Sequence, residues 1–233
     1  MHLNGARKQG DPVRVLVAAT GTDLGKTHIA CALLRHWRAE GLDPLPLKPL
    51  QSGFEPGAAE ASDAGLLLAA AGLAVDEKGL DRVAPWRYRA ALSPDLAAAR
   101  EGREHGFDEV VAFCRNAAET HQGPLLVETA GGVMSPLTAE KTMFDLAAEL
   151  NFPVLLVAGG YLGTISHTLT ALVAAKSRNL PLAGLVLNAR AGDGVPLEDT
   201  IAAIRRHHPD LPIVAWRENR TEKENAAETA ALL

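Results

Sequence analysis

Short apolar runs alternate along the chain with longer stretches in which apolar residues recur at helical spacing. Continuous apolar runs are typical of strands buried on both faces of a sheet, whereas the longer stretches are typical of amphipathic helices. The predicted strands are 13–19, 44–48, 124–128, 153–158, 182–187 and 212–216. The predicted helices are 26–40, about 62–72, 107–121, 142–150, 164–178 and 197–207.

The alternation of strand and helix predicts parallel βαβ units joined by right-handed crossovers. We therefore expect an α/β fold with a doubly wound, mostly parallel sheet in a Rossmann-like, three-layer αβα arrangement. A chain of 233 residues that is 47% hydrophobic is long enough to form one domain with a full core. The domain is expected over 13–219, with a mobile tail over 1–12 and a tail or helix over 220–233.

Composition narrows the class of partner. The formal net charge of −5 lacks the basic excess of a general nucleic-acid binder, so small soluble substrates are favoured. The chain has no apolar segment near the roughly 18 residues of a membrane-spanning helix, so no membrane association is predicted. Cys31 and Cys114 match no metal-ligand spacing, which favours a reducing cytoplasm and inert thiols.

The most informative segment is 13–27, where an apolar run leads through small residues to Gly25, Lys26 and Thr27. A helix that begins near Lys26 presents unpaired N–H groups and about half a positive charge to an anion. In such a loop glycine allows close approach, the lysine reaches the β- and γ-phosphates, and the hydroxyl ligates magnesium. Thr20 stands where the full pattern has glycine, but the strand–loop–helix context still predicts nucleotide binding. Lys26 is expected to be an exposed loop residue.

Ligands of doubly wound sheets bind beyond the carboxyl ends of the strands, where this chain carries charged residues. Lys48 follows the second predicted strand and is positioned to neutralise a transferring phosphoryl group. Together, Thr27, Asp63 and Glu128 provide the oxygen ligands that Mg²⁺ prefers. Taken singly, Asp63 could instead cap a helix and Glu128 could face water; their joint presence favours the metal site.

In order and spacing, the motifs over nearly the whole chain resemble those of the dethiobiotin synthetases, which have a fold like that of the P-loop nucleoside triphosphatases. The motifs are Thr22-Asp23-Leu24-Gly25-Lys26-Thr27, Lys48-Pro49-x-x-Ser52-Gly53, Ser62-Asp63-Ala64, Ser93-Pro94 before alanines, Val127-Glu128-x-Ala130-Gly131-Gly132, Leu162-Gly163-Thr164-Ile165-x-His167-Thr168 and Leu187-Asn188.

The resemblance implies an ATP-dependent cyclo-ligase that forms dethiobiotin from 7,8-diaminononanoate and CO2, with Mg²⁺, through a carbamate and a carbamic–phosphoric anhydride. The catalytic residues that it implies are Thr22, Asp23, Lys26 and Lys48. The implied substrate-binding residues are Ser52, Ser93, Pro94, Gly163, Thr164 and Ser166. The implied nucleotide-binding residues are Gly25, Lys26, Thr27, His28, Glu128, Gly131, Gly132 and Asn188, of which Asn188 would read adenine. The implied metal ligands are Thr27, Asp63 and Glu128.

The resemblance also implies a homodimer, because in the family the segment 163–166 comes from the neighbouring subunit. From the residues alone, helix capping by Thr164 or Ser166 is the favoured interpretation, and His167 is expected to pack within its helix. The chain departs from the family pattern in the phosphate loop, at two substrate-contacting positions and near its end, and the departure over 215–219 leaves the choice of nucleotide open. The departures are Ala19, Gly21, Asp95, Ser166 and the stretch 215–219.

Two other functions remain as alternatives. A partition-type ATPase switch shares the strand–loop–helix architecture but usually has a second lysine early in its loop, where this chain has Ala18, Ala19, Thr20 and Gly21. An amide-forming ligase of related fold normally adds a glutaminase domain, for which this chain has no room.

Overall fold

The structure is a computed structural model that describes residues 12–189 and 193–233. Its strands are β1 (Arg14–Ala19), β2 (Leu45–Leu47), β3 (Leu50–Gln51), β4 (Trp86–Arg87), β5 (Leu125–Glu128), β6 (Val154–Gly159), β7 (Leu182–Asn188) and β8 (Ile213–Trp216). Its helices are α1 (Lys26–Ala39), α2 (Asp63–Ala70), α3 (Glu77–Val83), α4 (Pro94–Arg100), α5 (Phe107–Thr120), α6 (Met143–Leu150), α7 (Thr164–Ser177), α8 (Leu197–His207) and α9 (Glu222–Ala230), with a 3₁₀ segment over Pro56–Ala61.

A six-stranded sheet in the order β2-β5-β1-β6-β7-β8 forms the centre of the fold. Every pairing within this sheet is parallel, which confirms the predicted α/β, doubly wound class. Strands β1, β2 and β5 lie side by side, so the loops that leave their carboxyl ends meet at one edge of the sheet.

The sheet separates two hydrophobic cores. In β1, Leu16 and Ala18 pack into one core, whereas Val15 and Val17 pack into the other together with α1 and α9. Helices α5, α6 and α7 cover the opposite face. Because both faces of the strands are buried, their sequences read as continuous apolar runs.

Each predicted strand and helix is found, with boundaries that differ by at most a few residues. Strands β3 and β4 were not predicted, because two-residue strands are too short to show a period. The stretch 220–233 contains α9, whose capping box joins Thr221 to Glu224. The tail predicted over 1–12 lies outside the described residues, apart from Pro12. Among the described helices, none combines the length and apolar character needed to cross a bilayer.

Both cysteines lie in the cores rather than at the surface. Burial raises the pKa of Cys31 and of Cys114 to about 12. The thiols are therefore protonated at neutral pH and are poor nucleophiles.

Candidate active site

A tight loop connects β1 to α1. Gly25 precedes the helix with a φ of 93°, which is the left-handed region that favours glycine. Asp23 also has a positive φ, 58°. The loop thus turns back on itself, and the N–H groups at the N-terminus of α1 point into it. This arrangement is suited to binding an anion.

The ends of β2 and β5 bring opposite charges together. Lys48 Nζ lies 2.5 Å from Glu128 Oε1 and 2.9 Å from Asp63 Oδ2. The Thr27 hydroxyl lies 3.0 Å from Asp63 Oδ1 and 2.9 Å from Glu128 Oε1, and it donates to one of them at a time. Sequence reasoning predicted that Thr27, Asp63 and Glu128 would meet, but not the ion pairs with Lys48.

Neither of the alternative predictions, helix capping by Asp63 or solvent exposure of Glu128, is found in the structure. Glu128 is 1% exposed and does not face water. Ser62, rather than Asp63, caps α2, because its Oγ accepts a hydrogen bond from Gly65 N at 3.1 Å. The Asp63 carboxylate is turned towards Lys48 instead.

The two lysines of the site differ in their charge environments. Burial would lower the pKa of Lys48, but the carboxylates of Glu128 and Asp63 outweigh burial and raise it. Burial would raise the pKa of Asp63, but the Lys48 charge and hydrogen bonds from Lys48 and Thr27 lower it. Burial lowers the pKa of Lys26, and the charge of Lys48 lowers it further.

Lys26 is 7% exposed, so the expectation of an exposed loop lysine is wrong. It lies in the first turn of α1, where the loop and the charge cluster enclose it. Within the described residues it forms no salt bridge, whereas Lys48 has two carboxylate partners. Lys26 is therefore the cation at this site whose charge is left for an anionic ligand.

A cavity of about 770 Å³ opens above the cluster. One side is formed by the phosphate loop and the charged residues, namely Gly25, Lys26, Thr27, Lys48 and Asp63. Thr22 and Asp23 of the same β1–α1 loop (20–25, the phosphate loop) also line the cavity, and the remaining lining includes Ser52, Ser93, Pro94 and Gly131 from other segments. The structure thus gathers most of the predicted site residues around one space. It adds Ser135, which no sequence motif indicated.

Gly131 and Gly132 form the contact between the loop after β5 and the phosphate loop. Gly131 has a φ of 66°, and a Cβ there would lie 2.9 Å from Ser135 Oγ. A Cβ on Gly132 would lie 3.3 Å from Gly21 Cα. Gly132 therefore lets the two backbones approach closely, and Gly131 leaves room for the Ser135 side chain of its own loop.

A second cleft lies on the far side of the phosphate loop. It is lined by His28, Asn188, Trp216 and neighbouring residues, and the rings of His28 and Trp216 meet edge to face at 5.2 Å. Asn188 Nδ2 donates to the Leu24 carbonyl at 2.9 Å. This bond fixes the amide so that, within the described residues, Oδ1 is an acceptor available to a ligand.

The segment 163–166 lies apart from the main cavity of the same protomer. Gly163 and Ser166 line a shallow surface with Leu169 and Val173. Thr164 is fully buried, and its hydroxyl donates to the Gly159 carbonyl at 2.6 Å. The N-cap of α7 is Gly163 and no side chain caps it, so the predicted capping by Thr164 or Ser166 is wrong. His167 is exposed and lies 2.7 Å from the Tyr161 hydroxyl, so the prediction that it packs within its helix is wrong.

The strand–phosphate loop–helix unit and the doubly wound sheet define a P-loop nucleotide-binding fold. Solved structures with the same architecture include a ParA family ATPase from Chlorobium tepidum (TM-score 0.53, 14% identity, covering 95% of this chain and 91% of that one). They also include MinD of Aquifex aeolicus (TM-score 0.53, 10% identity, covering 93% and 94%). At these identities the likeness concerns the fold alone.

Sequence comparison gives the family. The AAA domain family model matches residues 13–225. The chain is 45% identical to the ATP-dependent dethiobiotin synthetase BioD of Acidiphilium cryptum (82% of this chain, 86% of the relative) and 47% to that of Caulobacter vibrioides (86% and 90%). With that of Phenylobacterium zucineum it shares 42% over 94% of both chains. The chain belongs to the dethiobiotin synthetase family, which confirms the resemblance seen in its motifs.

The unpaired, buried charge of Lys26 generates a prediction about Lys26→Met. Because its folded-state pKa is lowered, the protonated side chain opposes folding at neutral pH. We expect a melting temperature equal to or above that of the wild type, with the difference shrinking as the pH rises above the lowered pKa of Lys26. Thermal denaturation between pH 7 and the alkaline limit of stability measures this. A marked loss of stability at neutral pH would contradict the assignment.

Proposed function

We propose that this protein catalyses the ATP-dependent conversion of 7,8-diaminononanoate and CO2 to dethiobiotin, with release of ADP and phosphate. The observation that carries the proposal is the ion cluster of the buried Lys48 and Glu128 with the partly exposed Asp63, beside Lys26 and at one cavity large enough for a diamine next to a triphosphate. Membership of the dethiobiotin synthetase family selects this reaction among those that such a cavity can accommodate.

The reaction proceeds in three steps that require no enzyme nucleophile. One amine attacks CO2 and loses a proton, which gives a carbamate. A carbamate oxygen then attacks the γ-phosphorus of ATP and ADP leaves, which gives a carbamic–phosphoric anhydride. The second amine attacks the carbonyl carbon, phosphate leaves with the electron pair of the broken C–O bond, and a proton is lost as the cyclic urea forms.

The chain's own groups stabilise charge and position the reactants. Lys26, in the first turn of α1, offsets charge on the transferring phosphoryl group, and Lys48 adds a second cation nearby. The Asp23 carboxylate attracts the amino groups of the diamine. The buried Ser52 hydroxyl, whose Oγ has no partner among the described residues, binds a carbamate oxygen. Holding the second amine beside the anhydride makes ring closure intramolecular.

Mg²⁺ fits the oxygen atoms of Thr27, Asp63 and Glu128. Glu128 Oε2 is buried and has no hydrogen-bond partner among the described residues, which leaves an acceptor that a cation would satisfy. When bound, the ion neutralises charge on the β- and γ-phosphates. Thr27, Asp63 and Glu128 would hold it, and Gly131 and Gly132 would leave room for the phosphates beside the loop after β5.

The nucleotide base occupies the cleft of His28, Asn188 and Trp216. The acceptor Oδ1 of Asn188 favours a base with an exocyclic amine, which is found in adenine and cytosine but not in uracil. ATP is therefore the proposed nucleotide, with CTP as a substitute. Guanine carries its amine at a different position, so GTP is expected to bind less well.

A homodimer completes the site. The surface around α7 exposes Leu162 and Val173, which are 86% and 64% accessible. Exposed apolar side chains grouped on one surface are typical of an interface between protein chains. From the partner subunit, the segment 163–166 supplies the N–H groups of a helix N-terminus to the substrate carboxylate, with Ser93 and Pro94 beside the diamine. We place the enzyme in the cytoplasm, with no nucleic-acid or membrane partner.

Phosphate release with Mg-ATP and bicarbonate, with and without 7,8-diaminononanoate, tests the proposed reaction. We expect release that depends on the diamine and a cyclic urea detected by mass spectrometry. ATP and CTP should support it, and UTP should support it poorly. Nucleotide binding without a diamine response would favour the ATPase switch, and turnover with ammonia and a carboxylic acid would favour the amide-forming ligase.

The metal proposal is tested with Glu128→Gln. The substitution keeps the shape of the side chain but removes the charge, so the Mg²⁺ concentration needed for half-maximal activity should rise at least tenfold, while the KM for the diamine changes little. Glu149→Gln, on an exposed part of α6, is the matched control. An unchanged magnesium titration would remove Glu128 from the metal site.

The dimer proposal is tested with Val173→Glu. A charge in the exposed apolar surface of α7 should shift sedimentation from dimer to monomer and lower kcat, because each site loses its partner segment. Ala112→Glu, at an exposed position on α5 rather than α7, should leave the dimer intact. A monomeric wild-type enzyme with full activity would disprove the shared site.

A further inference from the structure

Two linked, buried hydrogen bonds lie behind the side of the cavity that we assign to the diamine. Tyr88, which is 1% exposed, has its hydroxyl 2.7 Å from His105 Nδ1. His105 is 8% exposed, and its Nε2 lies 2.7 Å from the Leu137 carbonyl oxygen. No motif in the sequence indicated either side chain.

If the His105 ring is neutral, the hydrogen atoms of the Tyr88–His105–Leu137 hydrogen bonds have only one arrangement. A carbonyl oxygen only accepts, so Nε2 of His105 donates to Leu137. Nδ1 is then an acceptor, and the Tyr88 hydroxyl donates to it. Burial lowers the pKa of His105, which keeps the ring neutral at physiological pH.

The three residues belong to three different segments, and each segment forms part of the cavity wall. Tyr88 accepts a hydrogen bond from Phe54 N and donates one to the Gln51 carbonyl through its backbone, both at 2.8 Å, so it holds the turn that contains Ser52. His105 follows α4, which begins at Pro94 with Ser93 as its N-cap residue.

Leu137 belongs to the loop after β5, which places Gly131 and Ser135 at the cavity. The Leu137 side chain is fully buried, and its N–H donates to the Lys141 carbonyl at 2.7 Å, so the carbonyl that accepts from His105 is part of a fixed turn. One imidazole thus connects all three walls on this side. The phosphate side is held differently, by the loop before α1 and by the Lys48 ion pairs.

We propose that His105, which connects Tyr88 to the Leu137 carbonyl, is a positioning residue. It sets the distances between the three segments that line the diamine side of the cavity with Ser52, Ser93 and Ser135. The inference rests on the proposed function, because that function assigns this side to the diamine. His105 acts on substrate only through the walls that it connects.

The test compares His105→Leu, His105→Gln and Tyr88→Phe. His105→Leu removes both hydrogen bonds and should raise the KM for the diamine about tenfold or more, while the KM for Mg-ATP stays within about twofold. His105→Gln keeps an N–H for the Leu137 carbonyl and should recover part of the loss. Tyr88→Phe removes a single hydroxyl, so it remains informative if His105→Leu fails to fold.

The matched control is His121→Leu. His121 Nε2 also lies 2.8 Å from a backbone carbonyl, that of Asp43, but at the opposite edge of the sheet, before β2 and β5. It should leave both KM values unchanged. A loss of folded enzyme alone lowers apparent kcat without changing either KM, so variants that lose melting temperature but keep the diamine KM would overturn the positioning role.

The wild-type enzyme separates this proposal from the proposed function. A wild type without diamine-dependent phosphate release would overturn the function, and the positioning role with it. An active wild type whose Tyr88→Phe and His105→Gln variants have unchanged diamine KM values would overturn the positioning role alone. Equal rises in the KM for diamine and for ATP would also contradict it.

Discussion

The site depends on one ion cluster, in which the buried Lys48 ammonium is held between the buried carboxylate of Glu128 and the partly exposed carboxylate of Asp63. Removing ions from water is costly, and the cost is offset only where partners keep short contacts and further hydrogen bonds. Leu47 of β2 pairs with Val127 of β5, so Lys48 and Glu128 each lie one residue beyond a fixed register. The apolar packing on both faces of these strands therefore also holds the charges together.

In this arrangement Lys48 and Lys26 have different electrostatic environments. Lys48 has protein carboxylates as partners, which keep it protonated although it is buried. Lys26 lies close by, is also buried, and forms no salt bridge within the described residues. In the proposed function, the triphosphate supplies the anionic partner that Lys26 does not find in a salt bridge with the described residues.

Much of this could be predicted from the sequence, because the main signals are local. Hydrophobic periodicity gave the strands and helices of the central sheet, and Gly25, Lys26 and Thr27 marked the phosphate loop. The burial of Lys26 was missed, since exposure depends on what packs over a loop. The pairing of Lys48 with Glu128 was missed as well, because it requires the order of strands, in which β5 lies between β1 and β2. Chain order alone does not give that neighbour relation.

The two sides of the cavity are also held by different interactions. Charged side chains and main-chain N–H groups form the phosphate side. These groups can be recognised in the sequence because few residue types provide them, and they occur at fixed spacing. Neutral hydrogen bonds among Tyr88, His105 and Leu137 hold the other side, and they join segments about 17 and 32 residues apart in the chain. A tyrosine and a histidine so far apart in the chain form no recognisable sequence motif. The side of the cavity that we assign to the diamine is therefore the side whose supporting contacts only the folded structure reveals.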